Sequence, residues 1–259
     1  DTEVIPHLYE EHGVDLVDHL NGMFAFCVWD EPGRTLLLGR DRTGEKPLFY
    51  WWNNGELVFA SELRALLAHP RTPRAVDPTA LRRYLLHDYF PAPLSPIAGI
   101  RKLPAGHVLT VRNGRLDIRC YWDLADHFDQ SEIASMNPAA IAEEVDRRIG
   151  RAVDRRRRAD VPVGVFLSGG IDSSAVLAHM ADQVGPGVPA FSLGHTDLAF
   201  DESRFARDTA RFFGADFHEL VLTEDDLADG LNRIAAGFDE PLGDASLIPT
   251  HLLARFAVE

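Results

Sequence analysis

Cysteine is almost missing: Cys27 and Cys120 are the only two in a chain of 259 residues. They lie far apart with no Cys-x-x-Cys spacing, which excludes a disulfide scaffold and a metal knuckle. Each sits in an apolar, strand-like stretch, so both are expected to be buried free thiols in a reducing compartment. Long apolar runs are lacking too. None approaches the roughly 20 residues that a membrane-spanning helix needs, and no signal peptide is read at the start. A cytoplasmic location and no membrane partner are expected. Positive charge is scarce, with 26 Lys and Arg against 40 Asp and Glu and a formal net charge of −14. Such a surface repels phosphate backbones, so no nucleic-acid partner is expected. The run Arg155-Arg156-Arg157-Arg158 then reads as a solvated helix end. The 11 histidines show no His-x-x-x-His pattern for a transition metal.

What is present is an ordinary globular composition, 46% apolar and 25% charged, long enough for one large domain or two smaller ones. The first half is strand-rich. Residues 22–29 and 35–39 read as strands around a Pro32-Gly33 turn, and residues 48–52 and 57–60 flank an Asn54-Gly55 turn. A further hairpin turns at Asn113-Gly114. Ser61 is placed to cap a short helix, and Asp77-Pro78 opens another with Asp as N-cap and Pro at its first position. The second half changes period. Asn137-Pro138 opens a long helix with Ile141, Val145, Ile149 and Val153 spaced by four. Strands at 163–167, 190–193 and 217–221 then alternate with helices at 173–183 and 203–213, the pattern of a parallel sheet. The boundary is expected within residues 122–137, giving domains 1–122 and 123–259. Both ends read as cut, as in an internal piece of a longer protein.

The chemistry concentrates after the first parallel strand. Five apolar residues ending in Leu167 run into Ser168-Gly169-Gly170-Ile171-Asp172-Ser173-Ser174 and then a helix. Ligands of open parallel sheets sit beyond the carboxyl ends of the strands. Paired glycines let backbone amides approach an anion, and the helix N-terminus adds its positive dipole end. The serines add hydroxyl donors. A carboxylate among groups that face phosphates makes sense with a cation between them, so Asp172 is the expected Mg²⁺ ligand. No lysine follows for a Walker A loop, G-x-G-x-x-G is absent, and Phe166 stands where a nucleophile elbow needs Gly.

Residues 161–174 resemble the ATP-pyrophosphate loop, or PP-loop, of the glutamine-hydrolysing asparagine synthetases. Further blocks are similar to that family in its own order: Gly22-Met23-Phe24-Ala25-Phe26, residues 39–50 from Gly39-Arg40-Asp41 to Phe49-Tyr50, Phe59-Ala60-Ser61-Glu62-Leu63, and residues 100–107. The resemblance implies an α+β N-terminal-nucleophile hydrolase sandwich, here incomplete, followed by an α/β parallel-sheet PP-loop domain. It implies release of ammonia from glutamine in the first domain. In the second, ATP and Mg²⁺ adenylate the aspartate side chain, and ammonia displaces AMP. By the same carry-over Leu167 and Leu193 contact adenosine, Ser168, Gly169, Gly170, Ile171, Asp172, Ser173 and Ser174 hold pyrophosphate, and Asp1 holds the glutamine α-amino group. The partners implied are glutamine, ATP and aspartate or a related amino acid, with room for a homodimer.

Two departures from the family stand out. Its nucleophile is an N-terminal cysteine, absent here, and Cys27 lies within a strand and cannot substitute. Its later Ser-Gly-Glu-Gly-x-Asp-Glu segment would follow Glu259. These 259 residues alone are therefore expected to be inactive in both half-reactions. A related PP-loop ligase, β-lactam-forming or otherwise amide-forming, stays open as the alternative. The tandem glutaminase blocks disfavour a tRNA modifier, and the intact loop disfavours a non-catalytic binding protein. Residues 239–246 are the expected wall of the acceptor pocket, with Asp244 facing the acceptor's ammonium, although Asp239, Glu240 and Asp244 read equally well as helix-capping acids.

Overall fold

The computed structural model describes residues 2–196 and 203–259. The chain divides into two compact units, residues 1–128 with Asp239–Gly243, and residues 129–238 with 244–259.

In the first unit, helix α1 (Val4–His12) leads through a 3-10 turn into strands β1 (Ala25–Asp30) and β2 (Thr35–Arg40). Strands β3 (Phe49–Asn53) and β4 (Glu56–Ala60), helices α2 (Leu63–Ala68) and α3 (Pro78–His87), and strands β5 (Ile100–Lys102), β6 (His107–Arg112) and β7 (Arg115–Cys120) follow. Two antiparallel sheets result, ordered β1-β2-β6-β7 and β4-β3-β5. The side-chain period of two sorts them into layers. Leu37 and Phe26 face Leu16 and Val17 of the 3-10 turn beside α1, whereas neighbouring Leu38 points the other way, onto Leu48, Tyr50 and Leu109. Phe49 and Trp51 leave the far side of the second sheet and pack on Leu63 and Leu66 of α2. The order is helix, sheet, sheet, helix. Asn54 and Asn113 turn their hairpins at φ +49° and +51°, as the Asn-Gly pairs require.

The second unit holds helices α4 (Gln130–Ser135) and α5 (Pro138–Arg156), strand β8 (Val165–Phe166), helix α6 (Ile171–Val184), strand β9 (Pro189–His195), helix α7 (Ser203–Phe213), strand β10 (Asp216–Leu222) and helices α8 (Glu224–Gly237) and α9 (Leu247–Phe256). The sheet is parallel, ordered β10-β9-β8. Its core joins Val153 of α5, Val165 and Leu167, Leu177 and Met180 of α6, and Ala206 and Ala210 of α7. The stripe on α5 is buried only at its C-terminal end, since Val145 is 49% exposed.

The cysteine expectation fails. Both thiols are free, but both are exposed. Cys27 alternates with buried Phe26 and shares the face of its register partner Leu38, but β1 is an edge strand and leaves it exposed, while Cys120 ends the other edge strand β7. An apolar stretch of sequence does not say which face its odd residues take. Among the described residues no helix is long and apolar enough to cross a membrane.

Candidate functional site

The loop Ser168–Ser174 leaves the carboxyl end of β8, where the Leu167 amide still donates to the Phe191 carbonyl of β9 at 2.8 Å. Leu167 is 2% exposed, its side chain spent in the core. Leu193 continues β9 two residues past Phe191 toward the same end of the sheet, and is half-buried.

Gly169 adopts φ +79°, and a Cβ there would stand 2.5 Å from the Ala206 amide and 2.6 Å from Phe205 Cβ. Only glycine lets α7 press so close to the loop. Gly170 is the N-cap of α6 and offers no capping side chain. Helices α3, α5 and α8, by contrast, open on Asp77, Asn137 and Thr223, each accepting a backbone N–H of its own first turn. The first-turn amides of α6 are thereby left for an outside acceptor, at the positive end of a 14-residue helix. The Ser168 and Ser173 hydroxyls lie 3.0 Å apart; the Ser168 amide donates to Ser173 Oγ at 3.2 Å and the Gly170 amide to Ser168 Oγ at 3.3 Å. Ser174 is half-buried, Ile171 is 89% exposed, and Asp172 is exposed in the first turn. These features together form an anion cradle.

Among the described residues no group of three or more His, Cys, Asp or Glu could hold a metal. A single exposed carboxylate beside an anion cradle still fits Mg²⁺, which takes one or two carboxylates, keeps waters and shares phosphate oxygens. Asp172 is the residue that would hold it. A groove of about 430 Å³ opens between α5, β8 and α6, walled by Ile149, Val153, Val163, Phe166, Val176 and Met180. The loop contributes only Ser173 to it. This mostly apolar groove is a neighbour of the cradle, not its continuation.

The three acids of residues 239–246 all have structural partners. Asp239 accepts from the Leu63 and Arg64 amides at 2.7 and 3.3 Å, and so caps α2. That is the role the sequence gives to Ser61; the N-cap position is Glu62, which makes no capping bond of its own. Glu240 pairs with Lys102. Asp244 accepts from the Ser246 amide at 2.8 Å at the entry to α9, a bond that holds its carboxyl below the usual range. Asp1 lies outside the described residues.

Sequence reasoning gave no role to a second polar turn. The Arg40 guanidinium donates to the carbonyls of Lys46, Leu103 and Gly44 at 2.8, 2.6 and 2.8 Å. Asp41, 1% exposed, accepts from the amides of Glu45, Lys46, Thr43 and Phe24 at 2.9 to 3.3 Å. Tyr121 donates to the Arg40 carbonyl at 2.8 Å, and burial pushes its phenol up to about 12. The Arg-Asp pair at a strand end before Thr-Gly-Glu was the available signal.

A parallel sheet with this loop at its carboxyl end stands in one chain with a separately cored, two-sheet sandwich. The description "Glutamine amidotransferase domain" matches residues 1–122, and "Asparagine synthase" matches residues 144–259. The chain is 33% identical to a putative asparagine synthetase [glutamine-hydrolyzing] 2 of Methanocaldococcus jannaschii, over 99% of its length and 50% of the relative's. It is 32% identical to asparagine synthetase [glutamine-hydrolyzing] 1 of Bacillus subtilis, over 99% of the chain and 40% of the relative. It is also 32% identical to amidase chyE of Penicillium rubens, over 94% of the chain and 38% of the relative. The chain belongs to the glutamine-hydrolysing asparagine synthetase family, and spans half or less of the length of these relatives.

Proposed function

We propose that the protein of which this chain is part is a glutamine-dependent, ATP-using ligase that converts the aspartate side-chain carboxylate to an amide. The observation that carries the reading is the uncapped start of α6 behind a left-handed Gly169, in a chain that also holds an amidotransferase domain. Residues 168–174 receive the pyrophosphate of ATP, and Leu193 borders the adenosine. Leu167, its side chain in the core, offers only backbone there. Mg²⁺, held by Asp172, supplies charge neutralisation as pyrophosphate departs. The acceptor carboxylate attacks the α-phosphorus and pyrophosphate leaves. Ammonia, released from glutamine in an N-terminal-nucleophile hydrolase domain with Asp1 on the α-amino group, then attacks the acyl carbon and AMP leaves.

A different acceptor carboxylate is the second reading. Amidase chyE matches this chain as closely as one of the asparagine synthetases does, so identity alone does not choose the acceptor. Asp244, an exposed carboxylate at the entry to α9, suits an acceptor's ammonium. The test is pyrophosphate release by the full-length protein against a panel of carboxylic acids, with ammonia or glutamine as donor and with or without Asp244→Asn. Aspartate is expected to stimulate release and the substitution to raise its KM. Stimulation only by another acid would replace aspartate, and none by any acid would end the ligase reading.

A further inference from the structure

Asp239–Gly243 lies within the asparagine synthase match, between α8 and α9, yet it packs in the first unit. Five residues are held there at three points. Asp239 caps α2 through the Leu63 and Arg64 amides, with Arg64 Nε 3.5 Å from its carboxylate. Glu240 takes the ammonium of Lys102, which ends β5 and also donates to the Phe90 carbonyl at 2.6 Å. The Gly243 amide donates to the Asp88 carbonyl at 2.7 Å, just past α3, and a Cβ on Gly243 would stand 2.6 Å from Asp88 Cβ. The Lys102 and Glu240 side chains are 12% and 24% exposed, and the second Glu240 oxygen is buried without a described donor. Burial pushes the Glu240 carboxyl up, against the pull of Lys102. A desolvated ion pair is weak evidence for stability, whereas fixing one arrangement is its better-attested use. The residue after Gly243 is Asp244, whose carboxylate accepts from the Ser246 amide just before α9.

We propose that Lys102, Asp239 and Glu240 are positioning residues: they pin a strap that ends at Asp244 into the amidotransferase unit and so couple glutamine hydrolysis to amide formation. This rests on the ligase reading above. The strap acts on transfer, not on either chemical step, because none of its three anchors belongs to the phosphate cradle.

The experiment uses the full-length enzyme and two variants that loosen the strap by unrelated means, Lys102→Met and Gly243→Ala. Glutaminase activity, ammonia-dependent synthesis and the ratio of amide formed to glutamine hydrolysed are measured together. Both variants are expected to lower the ratio by about 5-fold or more, the lower end of usual coupling, while ammonia-dependent kcat stays within about 2-fold. The exchange Lys102→Glu with Glu240→Lys is expected to restore part of the ratio lost in Lys102→Met. An unchanged ratio in both variants overturns the proposal, as does a parallel loss of all three activities with a lowered Tm, which would make the strap merely structural. If the wild type forms no amide from ammonia, the ligase reading fails and takes the strap's role with it. Amide formation with an unchanged ratio defeats the strap alone.

Discussion

The turn after β2 and the turn after β8 are both short, polar and glycine-bearing, and the structure treats them in opposite ways. The side chains of Arg40 and Asp41 are turned inward, onto backbone partners. Three carbonyls take the guanidinium, and four backbone amides converge on one carboxylate. Around Gly169 and Gly170 the polar groups bond mainly to one another, at 3.0 to 3.3 Å and exposed, and the helix behind them opens without a cap. Buried polar groups must find partners inside the protein, so a saturated turn is part of the framework. One with donors to spare at a helix N-terminus is built for something that arrives from outside.

The contrast breaks most visibly if the two acids are exchanged in effect. In the full-length enzyme Asp172→Ala is expected to lower pyrophosphate release by about 100-fold or more, the scale of losing a preorganised electrostatic group. Its stability should stay within about 0.5 kcal/mol, as for exposed positions. Steady-state kinetics and a thermal melt on one preparation decide this, and normal turnover would remove Asp172 from the site.

Asp41→Asn should do the reverse, costing about 2 kcal/mol through amides that lose a charged acceptor, with ammonia-dependent kcat nearly unchanged in whatever protein remains folded. Burial alone would push the Asp41 carboxyl up, but the amides of Lys46, Glu45 and Phe24 outweigh it and hold it below the ordinary carboxylate range. Between the folded and the unfolded value only the unfolded chain binds the proton, so stability rises with pH there. The contribution is complete above the usual Asp value of about 4 and is lost as pH falls through the lower folded value. Wild-type Tm should fall more steeply than that of Asp41→Asn as acid is added, and parallel curves would reject the hub.

A smaller effect sharpens the capping side of the comparison. Thr223 and Asp226 form a reciprocal capping box at α8, with Asp226 Oδ2 accepting from the Thr223 amide at 2.9 Å. Thr223→Ala should cost about 1 kcal/mol, read as a lower denaturant midpoint at constant m. A cost near zero would mean that caps in this unit are dispensable, and the bare start of α6 would lose its meaning.

Local rules made much of this molecule legible in advance. Asp77 and Asn137 cap the helices they precede, and both Asn-Gly hairpins turn where they stand. Each of these is settled within three or four residues, where chain order and spatial order coincide. Other features answer to partners far along the chain. The cap of α2 comes from Asp239, 176 residues away, instead of from nearby Ser61. Lys102 meets Glu240 across 138 residues, and no spacing rule connects them. Which face of β1 carries Cys27 depended on the side from which the 3-10 turn covers the sheet. The sequence by itself determined many of the elements and the family, because propensity, capping and period act locally. Only the tertiary structure decided which acids became anchors, because a carboxylate's role is set by the donors that packing brings to it.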